Sequence, residues 1–352
     1  MNKRIAVLPG DGIGPEVTAV AVKVLQQIAR KFNHEFTFEE GLVGATAIDK
    51  TGNPFPEATL ELCQSADAIL FGAIGHPKYD NDPTAPVRPE QGLLAMRKAL
   101  GLFANIRPVT SYQILAQASP LKPEIIADVD LVVFRELTGG TYFGQKGRSE
   151  DRQSAYDTCS YSTEEILRVT KLAFEAAGKR RKKVTLVDKA NVMETSRLWR
   201  EVVQQYAKSF PEITLDLMFV DNAAMALIQN PRQFDVVLTE NLFGDILTDE
   251  ASVITGSLGM LPSASVGSQV ALFEPIHGSY PQAAGQNIAN PMAAVLSAAM
   301  LLETSFDLWE EGRVIRQAVE SCLNAGFATK DINSQNAYGT TEVGDKIISF
   351  IG

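Results

Sequence analysis

The sequence predicts an α/β fold with a largely parallel sheet, divided into two domains. Three observations lead there. Short, mostly apolar runs (5–8, 66–71, 131–134, 184–187, 215–220 and 236–238) recur along the chain, as expected of buried strands. Stretches with helical spacing of apolar residues lie between many of them, which fits crossover helices joining parallel strands. A length of 352 residues, 45% hydrophobic and 21% charged, allows a large core in more than one domain.

The first strand, Ile5–Leu8, runs into the turn Pro9-Gly-Asp-Gly-Ile-Gly-Pro15. A helix is expected from about 16 to 31, with Val17, Val20, Val24, Leu25 and Ile28 on one face. Further helical patterns cover 92–100, 163–177, 195–208 and 222–229. The segment 136–161 differs: Gly139, Gly140, Gly144 and Gly147 among Tyr, Thr and Ser residues predict hairpins that project from the body. The apolar run from Ala293 to Leu302 ends at Glu303; it is about half a membrane span and reads as a buried helix. The glycines of the first turn do not make a dinucleotide fingerprint, because Pro15 stands where the third glycine of G-x-G-x-x-G belongs. A Rossmann fold is therefore not expected.

A net charge of −10 and a pI near 5.0 argue against general nucleic-acid binding. The basic run Lys179-Arg-Arg-Lys-Lys183 directly precedes a strand and reads as a solvated helix-to-strand loop. Cys63, Cys159 and Cys322 form no metal or disulfide pattern and suit a reducing compartment. The N-terminal residues hold too few apolar side chains for a secretory signal. The expected location is cytoplasmic, with no membrane and no nucleic-acid partner.

The candidate chemistry begins with Asp245 and Asp249 in Asn241-Leu-Phe-Gly-Asp-Ile-Leu-Thr-Asp-Glu250. On a helix this spacing puts both carboxylates on one face, where they repel unless a cation lies between them. Hard oxygen donors suit Mg²⁺ or Mn²⁺. A solvated acidic face is the common meaning of such a pair, but Phe243, Ile246, Leu247, Val253 and Ile254 make this segment mostly apolar. Both carboxylates are accordingly expected to need a partner. Arg97, Arg107 and Arg135 each stand near the end of an expected element, and residues just past strand ends line the crevice of open α/β sheets. Their planar forks suit a small di-acid. Lys189, after the strand 184–188, is a candidate general base, and Tyr142 in the Gly-rich segment a candidate proton donor. The loop from His277 to Pro291, dense in amides and backbone donors ahead of a helix, suits a nucleotide.

These pieces in this order resemble the β-decarboxylating 2-hydroxyacid dehydrogenases, the family of isocitrate and 3-isopropylmalate dehydrogenases. The resemblance runs the full length, through 8–16, Arg135-Glu-Leu-Thr-Gly-Gly-Thr-Tyr-Phe-Gly144, Asp188-Lys-Ala-Asn-Val192, 241–250 and 277–291. Within the family, Arg88-Pro-Glu-Gln-Gly-Leu-Leu-Ala-Met-Arg97 looks like the isopropylmalate branch, because Glu90, Leu93 and Leu94 stand where isocitrate-acting members carry polar residues. Burying an isopropyl group on two leucines is worth about 2 kcal/mol, and a carboxylate in that place costs more.

The resemblance implies an isopropylmalate dehydrogenase-like fold with a terminal domain, 1–102 plus 256–352, carrying the cofactor loop. It implies a central domain, 103–255, with the dimer interface, an arm at about 136–161 and the metal aspartates. It also implies a homodimer whose site is shared between subunits, with Lys189 and Asp221 supplied by the partner. The substrate 3-isopropylmalate would meet Glu90, Leu93, Leu94, Arg97, Arg107, Arg135, Val192 and Asp221. NAD would meet Ile13, Glu274, His277, Gly278, Ser279, Gln282 and Asn290, and Mg²⁺ or Mn²⁺ would meet Asp221, Asp245 and Asp249. Lys189 would be the base and Tyr142 the donor. NAD-dependent members usually have Ala-Pro-Asp-Ile where this chain has Tyr280-Pro-Gln-Ala283. Gln282 carries no charge to repel a 2′-phosphate, so weaker discrimination against NADP is expected.

Overall fold

The apolar runs form strands whose side chains alternate between two covered faces. The computed structural model describes residues 1–81 and 85–352. The chain falls into two compact units, Met1–Leu102 with Gly256–Gly352, and Phe103–Thr255. The first unit begins with β1 (Asn2–Gly10), α1 (Gly14–Phe32), β2 (Glu35–Glu40), α2 (Gly44–Thr51), α3 (Glu57–Ser65), β3 (Ala68–Ala73), α4 (Pro77–Asp80) and α5 (Pro89–Ala99). The second holds β4 (Ala104–Thr110), α6 (Pro123–Ile126), β5 (Asp130–Glu136), β6 (Lys146–Arg148), β7 (Ala155–Asp157), α7 (Thr163–Gly178), β8 (Lys183–Asp188), α8 (Glu194–Ala207), β9 (Thr214–Phe219), α9 (Val220–Gln229), β10 (Val236–Thr239) and α10 (Asn241–Ser252). The chain then returns to the first unit with β11 (Pro262–Val266), β12 (Ala271–Pro275), α11 (Met292–Phe306), α12 (Trp309–Asn324) and α13 (Thr340–Ile351).

In the central unit the strand order is β4-β5-β10-β8-β9, parallel except for β4 against β5. Val132, Phe134, Val184, Leu186, Val236 and Leu238 pack with Phe174 of α7 and Trp199 of α8. The intervening Leu131, Val133, Val187 and Val237 pack with Leu227 of α9 and Leu247 of α10. Both faces of the inner strands are covered, which is why β5 and β10 read as apolar runs. Ser162 and Glu165 close a reciprocal capping box at the start of α7.

The basic run before β8 does more than the expected solvated loop. Arg180 pairs with Asp130 and with the buried Asp235, and Arg181 donates to the carbonyls of Asp130 and Phe234. These contacts tie the entry of β8 to β5 and β10, while Lys179 remains exposed beside Glu175. The Gly-rich segment divides in two. β6 and β7 form an antiparallel hairpin with mostly exposed residues, whereas Gly139 and Gly140 are buried ahead of a 3₁₀ turn, Gly140–Tyr142.

In the terminal unit the order is β2-β1-β3-β12-β11, parallel except for β11 against β12. α11 is buried from Met292 to Leu302 and packs on α1, α12, β11 and β12. None of the described helices is long and apolar enough to cross a membrane. The Gly-rich turn after β1 is organised by Asp11, which is 3% exposed. One carboxylate oxygen accepts from the amides of Ala45 (2.8 Å) and Gly75 (3.0 Å), the other from the amide (2.8 Å) and hydroxyl (2.9 Å) of Thr46. Gly12, at φ +59°, lies so close to the 277–283 loop that a Cβ would sit 1.9 Å from the Ser279 carbonyl oxygen.

Replacing Asp11 with alanine strands three backbone amides beneath that turn. The expected loss is about 3 kcal/mol, or roughly 6–10 °C in thermal unfolding; an unchanged melting temperature would show that water replaces the carboxylate.

Candidate active site

α10 begins where β10 ends, and its first turns organise the polar centre of the central unit. Arg135 on β5 is 4% exposed. Its Nε (3.0 Å) and Nη2 (2.8 Å) donate to Asn241 Oδ1, and its Nη1 donates to Asp245. The Tyr142 hydroxyl donates to the other Asp245 oxygen at 2.7 Å. Arg107 donates from Nη1 to Thr248 Oγ1 (2.7 Å) and Asp249 Oδ1 (3.3 Å), and from Nε to Asn105 at 2.8 Å. Arg107 thus sits mid-way along β4 and Arg135 within β5, rather than just past strand ends. The antiparallel pairing of β4 and β5, which periodicity did not reveal, brings them to neighbouring registers.

The arginines change the meaning of the aspartate pair. Asp249 has a side chain 72% exposed and pays little for its charge, so the expected desolvation cost falls on Asp245 alone. Each aspartate is faced by a guanidinium, so the mutual repulsion is already offset within the chain. Ile246 and Val253, expected to make the surroundings apolar, are 57% and 39% exposed. Among the described residues no three His, Cys, Asp or Glu side chains gather at one point.

Lys189 follows β8 and donates from Nζ to Asp221 Oδ1 at 2.6 Å. Asp221 opens α9, and the Lys189 hydrogen bond holds its carboxyl below the usual range. Val192, 66% exposed, donates its amide to the Lys189 carbonyl. Burial first, and then the Asp245 hydrogen bond, push the Tyr142 phenol up to about 12.

The terminal unit holds the remaining candidates. Glu90, Leu93, Leu94 and Arg97 share one face of α5, while Pro89, Gly92 and Met96 bury the other. Leu93 is half-buried and Leu94 is 47% exposed. Arg97 Nη2 lies 3.4 Å from Glu274 Oε1, and its Nε is buried without a partner. A cleft of about 660 Å³ is lined by Ile13, His277, Gly278 and Asn290 together with Ser257, Leu258, Tyr280, Lys330 and Asp331. His277 Nδ1 lies 2.9 Å from the Gly278 carbonyl, its Nε2 is enclosed with no partner, and burial lowers its pKa. Ser279 is buried behind the cleft, its carbonyl accepting from the Ile13 amide at 2.8 Å. Gln282 is exposed on the adjoining 3₁₀ turn.

Residues 4–347 match the family described as isocitrate/isopropylmalate dehydrogenase. The chain belongs to this family. It is 56% identical over 353 aligned residues to the 3-isopropylmalate dehydrogenase of Bacteroides fragilis, covering 100% of this chain and 99% of that one. It is 56% identical to the 3-isopropylmalate dehydrogenase of Bacillus subtilis, covering 97% and 95%. Among solved structures, isocitrate dehydrogenase from Methylococcus capsulatus superposes with a TM-score of 0.88 at 33% identity, covering 99% of each chain. A β-decarboxylating dehydrogenase from Thermococcus kodakarensis gives 0.83 at 36% identity, covering 99% and 96%. The full-length resemblance and the α/β fold with a mostly parallel sheet are thus both established.

For this family member, several polar residues escaped sequence reasoning. Asn241 stood in the quoted stretch as the residue that starts α10, but its hold on Arg135 depends on β5 lying beside β10. Glu136, Tyr161 and Glu240 are buried polar groups that no periodicity marks. Asp331 accepts from Ser257 Oγ (2.5 Å), Asn290 Nδ2 (3.0 Å) and Thr329 Oγ1 (2.5 Å) beside the cleft, in a loop without a motif.

The Tyr142 proton is held more tightly in the folded chain, so its contribution to stability is present below the ordinary pKa of 10.0 and lost as pH rises through about 12. In an ultraviolet phenolate titration, the wild-type minus Tyr142→Phe difference should develop near pH 12; a midpoint at the ordinary value would remove Asp245 and burial as its environment.

Proposed function

We propose that this chain is a cytoplasmic, homodimeric enzyme of leucine biosynthesis. Its reaction converts (2R,3S)-3-isopropylmalate to 4-methyl-2-oxopentanoate and CO₂ with reduction of NAD. The observation that carries the substrate choice is the α5 face, where Leu93 and Leu94 stand between Glu90 and Arg97. An alkyl substituent gains on that face and a third carboxylate loses. The names of the 3-isopropylmalate dehydrogenases similar over the full length support the same choice.

In this reading Arg97, Arg107 and Arg135 bind the malate carboxylates, with Val192 also at the substrate. Lys189 of the partner subunit takes the proton of the C2 hydroxyl. NAD, when bound, accepts the hydride that leaves C2, and the groups assigned to it are Ile13, Glu274, His277, Gly278, Ser279, Gln282 and Asn290. The 660 Å³ cleft and the enclosed, unpartnered His277 Nε2 fit such a nucleotide. Mg²⁺ or Mn²⁺ would be held by Asp245 and Asp249 with Asp221 of the partner subunit, and would supply positive charge that stabilises developing negative charge on oxygen. The exposed Asp249 carboxylate and the partly buried Asp245 carboxylate one turn before it on the same helix are hard oxygen donors that fit such a cation, whose remaining ligands would come from substrate and a second copy. After oxidation the C3–carboxylate bond breaks, CO₂ departs and the electron pair forms an enolate. Tyr142 delivers its phenolic proton to C3.

A panel of 3-substituted malates assayed with NAD and Mn²⁺ tests the reading. The expected order puts 3-isopropylmalate above isocitrate by about a hundredfold or more in kcat/KM; a preference for a polar substituent overturns it. Lys189→Met should bind substrate yet form no NADH, and appreciable turnover would refute the base. Gln282 predicts an NAD over NADP preference below about a thousandfold, equivalent to roughly 4 kcal/mol; a larger ratio would sink the weaker discrimination assigned to this side chain.

A further inference from the structure

We propose that Tyr161, clamped by the buried carboxylate of Glu240, is a positioning residue that seats the Gly139–Gly140 backbone and thereby sets where the Tyr142 phenol delivers its proton. The inference rests on the reading of Tyr142 as the proton donor and extends it to groups that do not touch the substrate.

The geometry is closed on every side. Tyr161 is 9% exposed and Glu240 is 6% exposed. The Tyr161 hydroxyl donates to Glu240 Oε2 at 2.9 Å and accepts from the Asn241 amide at 3.0 Å. Its ring and oxygen lie directly under the glycine turn. A Cβ on Gly139 would stand 2.6 Å from Tyr161 Cε1, and one on Gly140 would stand 2.3 Å from the Tyr161 oxygen. Gly140 has φ +72°, so this position excludes a side chain on two counts. Two residues later the chain presents Tyr142, whose hydroxyl meets Asp245. Asn241 fixes the same turn from the other side, its Nδ2 donating to the Gly139 carbonyl at 3.1 Å while its Oδ1 receives Arg135. Glu136, fully buried, accepts from the amides of Thr138 and Gly139.

A plain helix cap does not account for Glu240. It caps α10 by accepting from the Phe243 amide at 2.7 Å, a task that Ser, Thr, Asp or Asn performs without burying a long carboxylate. The additional methylene lets the second oxygen reach Tyr161 while the first caps the helix. Burial pushes the Glu240 carboxyl up, partly opposed by its hydrogen bonds to Phe243 and Tyr161. A buried acid is costly, and here it fixes the starting point of α10 and the seat of the donor turn together.

The test isolates proton delivery from oxidation. Holoenzyme with Mn²⁺, NADH and 4-methyl-2-oxopentanoate in D₂O, without CO₂, is followed by NMR for exchange of the C3 hydrogens. Exchange needs the donor but no hydride transfer. Tyr161→Phe keeps the ring under the glycines and removes only the hydroxyl. Its exchange rate should fall by about tenfold to a hundredfold, with KM for 3-isopropylmalate little changed. The forward isotope effect from deuterium at C2 should fall as protonation becomes slower than hydride transfer. Exchange at the wild-type rate overturns the proposal, as does an equal loss of exchange and oxidation with the isotope effect unchanged, because that is what a merely structural role gives. Should Tyr161→Phe fail to fold, Glu240→Gln carries the same comparison. Tyr142→Phe separates the two readings. If it retains exchange, the donor assignment is wrong and the positioning role falls with it; if it abolishes exchange while Tyr161→Phe does not, the positioning role alone fails.

Discussion

A guanidinium that is 4% exposed must be satisfied completely, and Arg135 imposes that demand on the whole central unit. It cannot be neutralised by losing a proton, so partners have to come to it. Asn241 supplies one oxygen to two of its nitrogens and Asp245 supplies another. Both partners lie one turn apart on α10, so the helix can start only where β10 delivers Asn241 beside β5. Tyr142 and the glycine turn then take their places against the same helix start. A substitution that loosened this cation would misplace a carboxylate, a phenol and a turn at once, which is how one buried charge can specify a site.

How far the fold could be read in advance follows from the same burial logic. β1, β3, β5, β8, β9 and β10 announced themselves to within three residues at either end, because strands in the interior of such a sheet are made mostly of apolar side chains. β4 did not, since it carries Arg107 and Pro108 and pairs antiparallel with β5. β2, Glu-Phe-Thr-Phe-Glu-Glu, carries exposed glutamates on the parallel edge of its unit, and β11 is built largely of small residues. Neither offers an apolar run to recognise. α11 was legible for the opposite reason: nearly every side chain faces protein, and nine apolar residues among the ten from Ala293 to Leu302 say so.

The candidate site was proposed residue by residue from the sequence, but its connections were not legible there. Asp245, Asp249, Arg107, Arg135, Lys189 and Tyr142 all stood out by type and context. What sequence reasoning missed is that the aspartates already have cationic partners within the chain, so their repulsion alone does not demand a metal. It also missed the groups that hold the named ones: Asp11 under the first turn, Glu240 and Tyr161 under the Gly139–Tyr142 turn, Asp331 behind Asn290. Such residues act through backbone amides and neighbouring side chains brought together by folding, and spacing along the chain carries no trace of that.

The pairing of Lys189 with Asp221 bears on how a site shared between two copies would assemble. Asp221 has a side chain 62% exposed, so this ion pair is a surface contact of small net worth and is easily rearranged. Yet it holds the two groups side by side, 2.6 Å apart. Delivered together, an ammonium and a carboxylate add no net charge to the receiving site, and each loses less solvation than it would alone. In the proposed shared site the two would separate, the carboxylate toward a divalent cation and the amine toward the C2 hydroxyl. In the proposed reading Lys189 would then act on the substrate without its counter-ion, because Asp221 would have taken up a second task beside it.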